Sequence, residues 1–236
     1  MFSQPGYLDR ARLITKHYGP LWTAILYGVP LTNLAVHLAW LLALHPALAS
    51  LPLPFDRRRL RDFLHRNFML RPGAALEPLT LLTSAFSHIQ PLHLFVNMST
   101  YNTYARNLYV MGTSPLRFVL LALGSGLAAS AAFVLNARRR RRAGKSDAAN
   151  TAVGASGILT GFGTALAVMY PTMRVRLSGT RVMLSLREVL VAMFAVDVLC
   201  LGTETETGVG HSGHVGGALF GLVYALGRKY LRYRNL

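Results

Sequence analysis

Gly210-His211-Ser212-Gly213-His214-Val215-Gly216-Gly217 opens the last apolar stretch of the chain and sets two imidazoles where a helix would enter a bilayer. Strongly polar side chains at membrane depth are costly, so they face the inside of a bundle and mark function. Two further apolar stretches carry such groups. Residues 91–111 hold His93 and Asn97, and the stretch after Asn150 opens Gly154-Ala155-Ser156-Gly157. Together they supply a hydroxyl, an imidazole and extra hydrogen-bond donors, the parts of a hydrolytic site.

Working outward, apolar blocks cover 21–44, 91–111, 116–135, 154–170, 184–201 and 211–226. A helical span needs roughly 20 residues, so six spans are expected. The chain is 52% apolar and only 14% charged, below the share of a soluble domain. The reading is one all-α polytopic membrane domain, 21–227, between a basic tail at 1–20 and another at 228–236. Pro30 is expected to kink the first span. The loop 45–78 contains Phe55-Asp56-Arg57-Arg58-Arg59-Leu60-Arg61-Asp62-Phe63-Leu64. Its apolar positions 60, 63 and 64 suit a short helix lying in the interface; a solvated loop is the other reading. The polar span 91–111 needs its polar side enclosed, which predicts a place in the middle of the bundle. The Arg138–Arg142 run is expected to end the third helix and start a loop. Asp197 stands isolated in the fifth span, with no assigned role.

The formal charge is +16. So basic a chain raises nucleic-acid binding, but the cations sit in loops between apolar blocks and no nucleic-acid motif is present. Contact with anionic lipid headgroups fits better, so the lipid bilayer is the expected partner and nucleic acid is not. Both faces are basic, so the positive-inside rule gives no orientation. Cys200 is the single cysteine, which excludes an intrachain disulfide and a cysteine-rich metal site. Residues 1–20 are basic and nearly acid-free, a composition shared by mitochondrial presequences and by short juxtamembrane tails.

Ser156 lies at a helix start, where backbone N–H groups and the positive dipole end face any developing anion. A serine needs a neighbouring base, and taken alone a small-residue string is better explained by packing. Gly213, Gly217 and Gly221 line one face of the last span, and Gly157 and Gly161 repeat that spacing in the fourth. Such faces let helices approach closely, which would bring Ser156 and His214 together. His93 and Asn97 share a face of the second span and can donate hydrogen bonds to an oxyanion beside the Ser156 N–H; interhelical hydrogen bonding is the competing role. His211 and His214 are spaced for one helix face, but no third metal ligand is evident, so neither a metal nor any other cofactor is expected.

These motifs resemble the rhomboid intramembrane serine proteases. Thr83-Ser84-Ala85-Phe86-Ser87-His88 with Leu92-His93 and Asn97-Met98 resembles the family's second-span motif. Gly154-Ala155-Ser156-Gly157 resembles its nucleophile motif, and Gly213-His214-Val215-Gly216-Gly217-Ala218-Leu219-Phe220-Gly221 its last-span motif. The order is the family's. The resemblance implies a six-helix rhomboid-like bundle with Ser156 as nucleophile and His214 as base, without a third acidic residue. It implies His93 and Asn97 at the oxyanion, His88 as a loop-shaping residue, and Gly154, Gly157, Gly213 and Gly217 as structural support. It implies cleavage of single-pass membrane proteins at unstable, Gly- or Ser-rich transmembrane segments. The pair His211-x-x-His214 most resembles the mitochondrial, presenilin-associated branch, which points to the mitochondrial inner membrane, with a secretory-pathway membrane as the other location. That branch often has Asp where this chain has Gly210, and the Trp-Arg pair of many bacterial members is absent.

Two other functions are compatible with a polar-lined bundle. A catalytically silent relative would bind membrane clients; such proteins generally lose the serine or histidine, and this chain keeps both. A transporter or channel would line a polar path with His93, Asn97 and Asp197, but the internal repeats common in transporters are missing.

Overall fold

The computed structural model describes residues 16–48, 54–72, 77–145, 151–176, 180–205 and 207–234. Most of the basic N-terminal tail, residues 1–15, and the last two residues of the C-terminal tail lie outside that set. The fold is all-α apart from one small hairpin.

Helix α1, Lys16–Leu44, starts ahead of the expected position 21, so residues 16–20 belong to a helix rather than a tail. It widens into a π-helical stretch at Ala24–Gly28, just before Pro30. Proline offers no N–H and its ring crowds the carbonyl four residues earlier; a wider turn relieves that crowding. The Tyr101 hydroxyl donates to the Ile25 carbonyl at 2.7 Å, tying this stretch to the bundle.

Helix α2, Arg57–Asn67, realises the amphipathic segment of the first loop. Asp56 caps it, its carboxylate accepting from the Arg58 N–H at 2.8 Å. The apolar side docks Leu64 against Val36, Trp40 and Met69, and the His65 ring stands edge-on to Trp40 at 5.1 Å. Burial holds the His65 imidazole below its ordinary value of 6.5, with Arg71 and Arg61 adding to the effect and Asp62 opposing it. The folded state therefore favours the neutral ring. Its contribution is whole above the ordinary value and is lost as the pH falls through the depressed one. Hydrogen exchange at α2 amides, corrected for intrinsic rates, is expected to quicken as the pH falls below the ordinary imidazole value of 6.5; constant protection would separate His65 from the docking of α2.

A single turn, α3 (Thr80–Thr83), runs into a 3-10 turn at Ser84–Phe86. Helix α4 follows at Pro91–Val110, α5 at Pro115–Arg142 and α6 at Ser156–Met169. Strands β1 (Arg174–Arg176) and β2 (Met183–Ser185) pair antiparallel, so Leu184, expected to open the fifth span, lies in a strand. Helix α7 is Leu186–Thr203 and α8 is His211–Arg234. By length and composition α1 and α5 each suffice to cross a membrane. Large apolar side chains face outward on every long helix except α6 (Leu31, Phe95, Leu120, Val191 and Val223 among them), as a lipid-facing surface requires.

Two further expectations are corrected. The Arg138–Arg142 run does not end α5; the helix includes all five arginines. Arginine is a good helix former, and cations near a helix C-terminus oppose the dipole favourably. At 28 residues the helix is about 42 Å long, so its last turns clear a hydrocarbon layer of about 30 Å. The centre of the bundle is α6, not α4. Leu159, Thr160, Gly161, Phe162, Gly163, Ala165 and Leu166 of α6 are all buried, whereas Leu92 and Phe95 of α4 are 72% and 65% exposed. Polar residues on α4 need only its inner side covered. A helix of glycine and alanine can be approached closely from several directions.

Candidate active site

Ser156 is the first residue of α6, and three hydrogen-bonded contacts fix the chain just before it. Leu70 and Ala152 exchange N–H···O bonds at 3.0 and 2.9 Å, and the Gly154 N–H donates to the Ser84 carbonyl at 2.9 Å. The Ala155 N–H donates to His88 Nε2 at 3.3 Å. His88 is itself fully buried, and α1 holds its loop: His37 Nδ1 contacts the His88 carbonyl at 2.6 Å, and Trp40 Nε1 donates to Ser87 Oγ at 2.7 Å. His37 and Trp40 had no part in the sequence reading, and Ser87 entered it only as part of the motif around His88. Their signal was available in His37, an ionisable side chain inside the otherwise uncharged stretch 21–44.

Gly154 adopts φ +115°, and a Cβ there would lie 2.6 Å from His93 Cε1 and 2.9 Å from its Nε2. The site thus needs a residue without a side chain for two separate reasons, backbone angle and the ring of His93. Gly154→Ala is expected to cost about 1–3 kcal/mol of stability from the backbone alone. Thermal melting measures the loss; an unchanged melt would contradict the tight packing.

His214 sits in the first turn of α8, and its Nε2 is 2.9 Å from Ser156 Oγ. The close crossing of α6 and α8 makes this possible. A Cβ on Gly217 would fall 1.9 Å from the Gly157 carbonyl oxygen, and one on Gly221 2.2 Å from that of Gly161. A Cβ on Gly157 would meet that of Ala129 on α5 at 2.4 Å. Gly213 differs, its nearest neighbour being the Ala129 oxygen at an ordinary 3.6 Å. Thr160 shares its hydroxyl proton between the carbonyls of Gly157 (2.9 Å) and His214 (3.1 Å), stitching the two helices beside the pair.

His93 lies against Gly154 and edge-on to His88, ring centres 4.9 Å apart. Asn97 is buried one turn further along α4. Its Nδ2 donates to the His93 carbonyl at 2.9 Å, and its Oδ1 is buried without a partner among the described residues. One of the two amide N–H groups therefore serves its own helix, and the second remains available.

An acidic residue stands beside His214, where the resemblance implied none. Asp197 Oδ1 lies 3.1 Å from His214 Nδ1 and 2.6 Å from His211 Nδ1. Asp197 stood out in the fifth span as an isolated carboxylate, but it comes from α7 and its partners are brought to it only by packing. The same residue supplies the third potential metal ligand that the His211–His214 spacing lacked, with donor atoms of all three within 4.8 Å of one another. Their separations are those of direct hydrogen bonds, which satisfy the three groups mutually.

A family profile described as Rhomboid domain matches residues 75–230, about two thirds of the chain, and covers α4 to α8 with the whole Ser156–His214 region. The chain belongs to the rhomboid family. Its members are generally intramembrane serine proteases, with inactive homologues among them, and the outward-facing apolar helices agree with an integral membrane protein. No curated protein matches the chain.

Proposed function

We propose that this protein is an intramembrane serine endopeptidase that cleaves transmembrane segments of single-pass membrane proteins. The observation that carries the reading is the 2.9 Å contact between Ser156 Oγ and His214 Nε2, made across two helices that only glycines allow to come so close. His214 takes the hydroxyl proton as Ser156 attacks the scissile carbonyl, then returns it to the leaving amine; water resolves the acyl-enzyme by the reverse sequence. The tetrahedral oxyanion forms at the N-terminus of α6, where the first N–H groups of a helix have no intrahelical partner. His93 and Asn97 are the side-chain donors nearest in role. For Asn97 the donor is the amide N–H that the His93 carbonyl does not engage.

The bundle is proposed to span with six helices, α1 and α4 to α8. Helix α6 has 14 residues, about 21 Å, shorter than the hydrocarbon layer of about 30 Å. With its far end at one interface, Ser156 lies within the layer rather than at its edge. A substrate helix must unwind there, because a helical amide is hydrogen-bonded and shielded; Gly- or Ser-rich segments do so at least cost. Substrate reaches the pair by displacement of α7 and the 203–210 loop. The His211–His214 spacing supports a mitochondrial inner-membrane location, which fractionation against marker proteins decides.

The deciding experiment is cleavage of a model transmembrane substrate by wild type, Ser156→Ala and His214→Ala in detergent and in liposomes. Equal cleavage by all three would overturn the mechanism. Fluorophosphonate labelling of Ser156 separates a peptidase from a client-binding homologue, which should not react.

A further inference from the structure

From residue 191 to the end of α7, Asp197 is the one buried residue among those described; Val191, Val196 and Leu199 around it stand exposed. A carboxylate turned inward from a helix whose neighbours face lipid is costly unless it is partnered. Its partners are His214 and His211, both through Nδ1 to the same oxygen, at 3.1 and 2.6 Å. On the far side of His211, Nε2 lies 2.6 Å from Thr207 Oγ1. One arrangement of protons satisfies the whole chain. Both imidazoles carry their proton on Nδ1 and donate to Asp197. His211 Nε2 accepts from the Thr207 hydroxyl, and His214 Nε2 accepts from that of Ser156. This is the tautomer a general base requires.

We infer that Asp197 is a positioning residue, delivered by α7, that holds His214 in the Nδ1–H tautomer and makes the Ser156–His214 pair a three-membered relay. His211 and Thr207 hold the carboxylate in turn. The same contact docks the outer half of α7, where no other side chain is buried. Displacing α7 outward to admit a substrate therefore withdraws the carboxylate from His214. The base is correctly oriented only when α7 has closed again, so closure and competence for proton transfer are one event. The inference rests on the peptidase reading above.

The test combines kinetics with nitrogen NMR on the full chain, labelled at histidine with 15N, in detergent micelles. In wild type, neutral His214 is expected to show a pyrrole-type, proton-bearing Nδ1 and a pyridine-type Nε2, the signal assigned by its loss in His214→Gln. In Asp197→Asn the side-chain amide can donate to Nδ1, and the tautomer should invert. Turnover should fall about 100-fold or more with KM changed less than about threefold, since a wrong tautomer impairs the chemical step. Asp197→Glu should recover part of the loss. A purely packing role for Asp197 would alter stability without inverting the tautomer. Wild-type His214 with an unprotonated Nδ1, or Asp197→Asn with wild-type turnover, overturns the inference. Should Asp197→Asn fail to fold, the wild-type spectrum alone still decides. If instead Ser156→Ala cleaves as well as wild type, the peptidase reading fails, while the spectrum reports on the Asp197–His214 contact independently.

Discussion

Ser156→Ala and His214→Ala are each expected to lower turnover of a transmembrane substrate by about 10⁴-fold or more, and the double variant by little beyond either one. Such non-additivity follows when two groups act as a unit: the hydroxyl without its base is a weak nucleophile, and the base without the hydroxyl has no proton to take. The 2.9 Å contact between Ser156 Oγ and His214 Nε2 is the geometry that coupling needs, already formed with no substrate present. Folding should be unaffected by Ser156→Ala, because Ser156 is the first residue of α6 and no hydrogen bond beyond that to His214 involves its side chain among the described residues. KM should hold within a few-fold in both variants, since substrate is gripped along its whole transmembrane segment. A kinetic series on all three variants with one substrate measures this. Additive losses, with the double variant far below either single one, would mean that the two residues do not act on the same step.

The glycine spacing was the part of the site written most legibly in the sequence. Small residues four apart on two apolar segments define faces without committing to any particular side-chain conformation, so a close approach of the two helices is readable from periodicity, while the pairing of Ser156 with His214 is not. Loop residues that brace the serine were legible only in part. His88 was marked by its place in a motif, but its bond to the Ala155 N–H and its anchoring by His37 and Trp40 join segments 47 to 67 residues apart, a pairing no local pattern encodes. Asp197 was visible as a misfit, a lone carboxylate in an apolar run, yet its partner could not be read. Leu186 at the start of α7 is fully buried and its N–H donates to the Met173 carbonyl, but neither this anchor nor the β hairpin announces itself in hydropathy. The arginine run misled for a physical reason. Exclusion from lipid and termination of a helix are different properties, and arginine has only the first.

Gly217→Ala and Gly213→Ala differ by one methyl group at two positions one helical turn apart, and they are expected to differ sharply in effect. At 217 the methyl would stand 1.9 Å from the Gly157 carbonyl oxygen and 2.8 Å from both its carbon and Thr160 Oγ1. Two of those three atoms are backbone, so nothing rotates aside; α8 must move away from α6. Overpacking of this kind costs about 1–3 kcal/mol. It acts less than one turn from His214 and opposite the residue that follows Ser156, so the lengthened Ser156–His214 separation should lower turnover about 100-fold. At 213 the nearest atom is the Ala129 oxygen at 3.6 Å, an ordinary contact. There the alanine keeps the close crossing and adds intrinsic helix propensity, about 0.8–1.0 kcal/mol relative to glycine. Gly213→Ala should therefore match or exceed wild type in thermal midpoint and keep turnover within a few-fold. The comparison separates two explanations that the sequence alone leaves merged. If glycine were present at both positions only as part of a motif for helix association, both variants would lose stability in similar measure. A loss confined to 217 assigns the crossing point of α6 and α8 to one pair of residues, Gly157 and Gly217, each next to a member of the proposed catalytic pair or one turn from it.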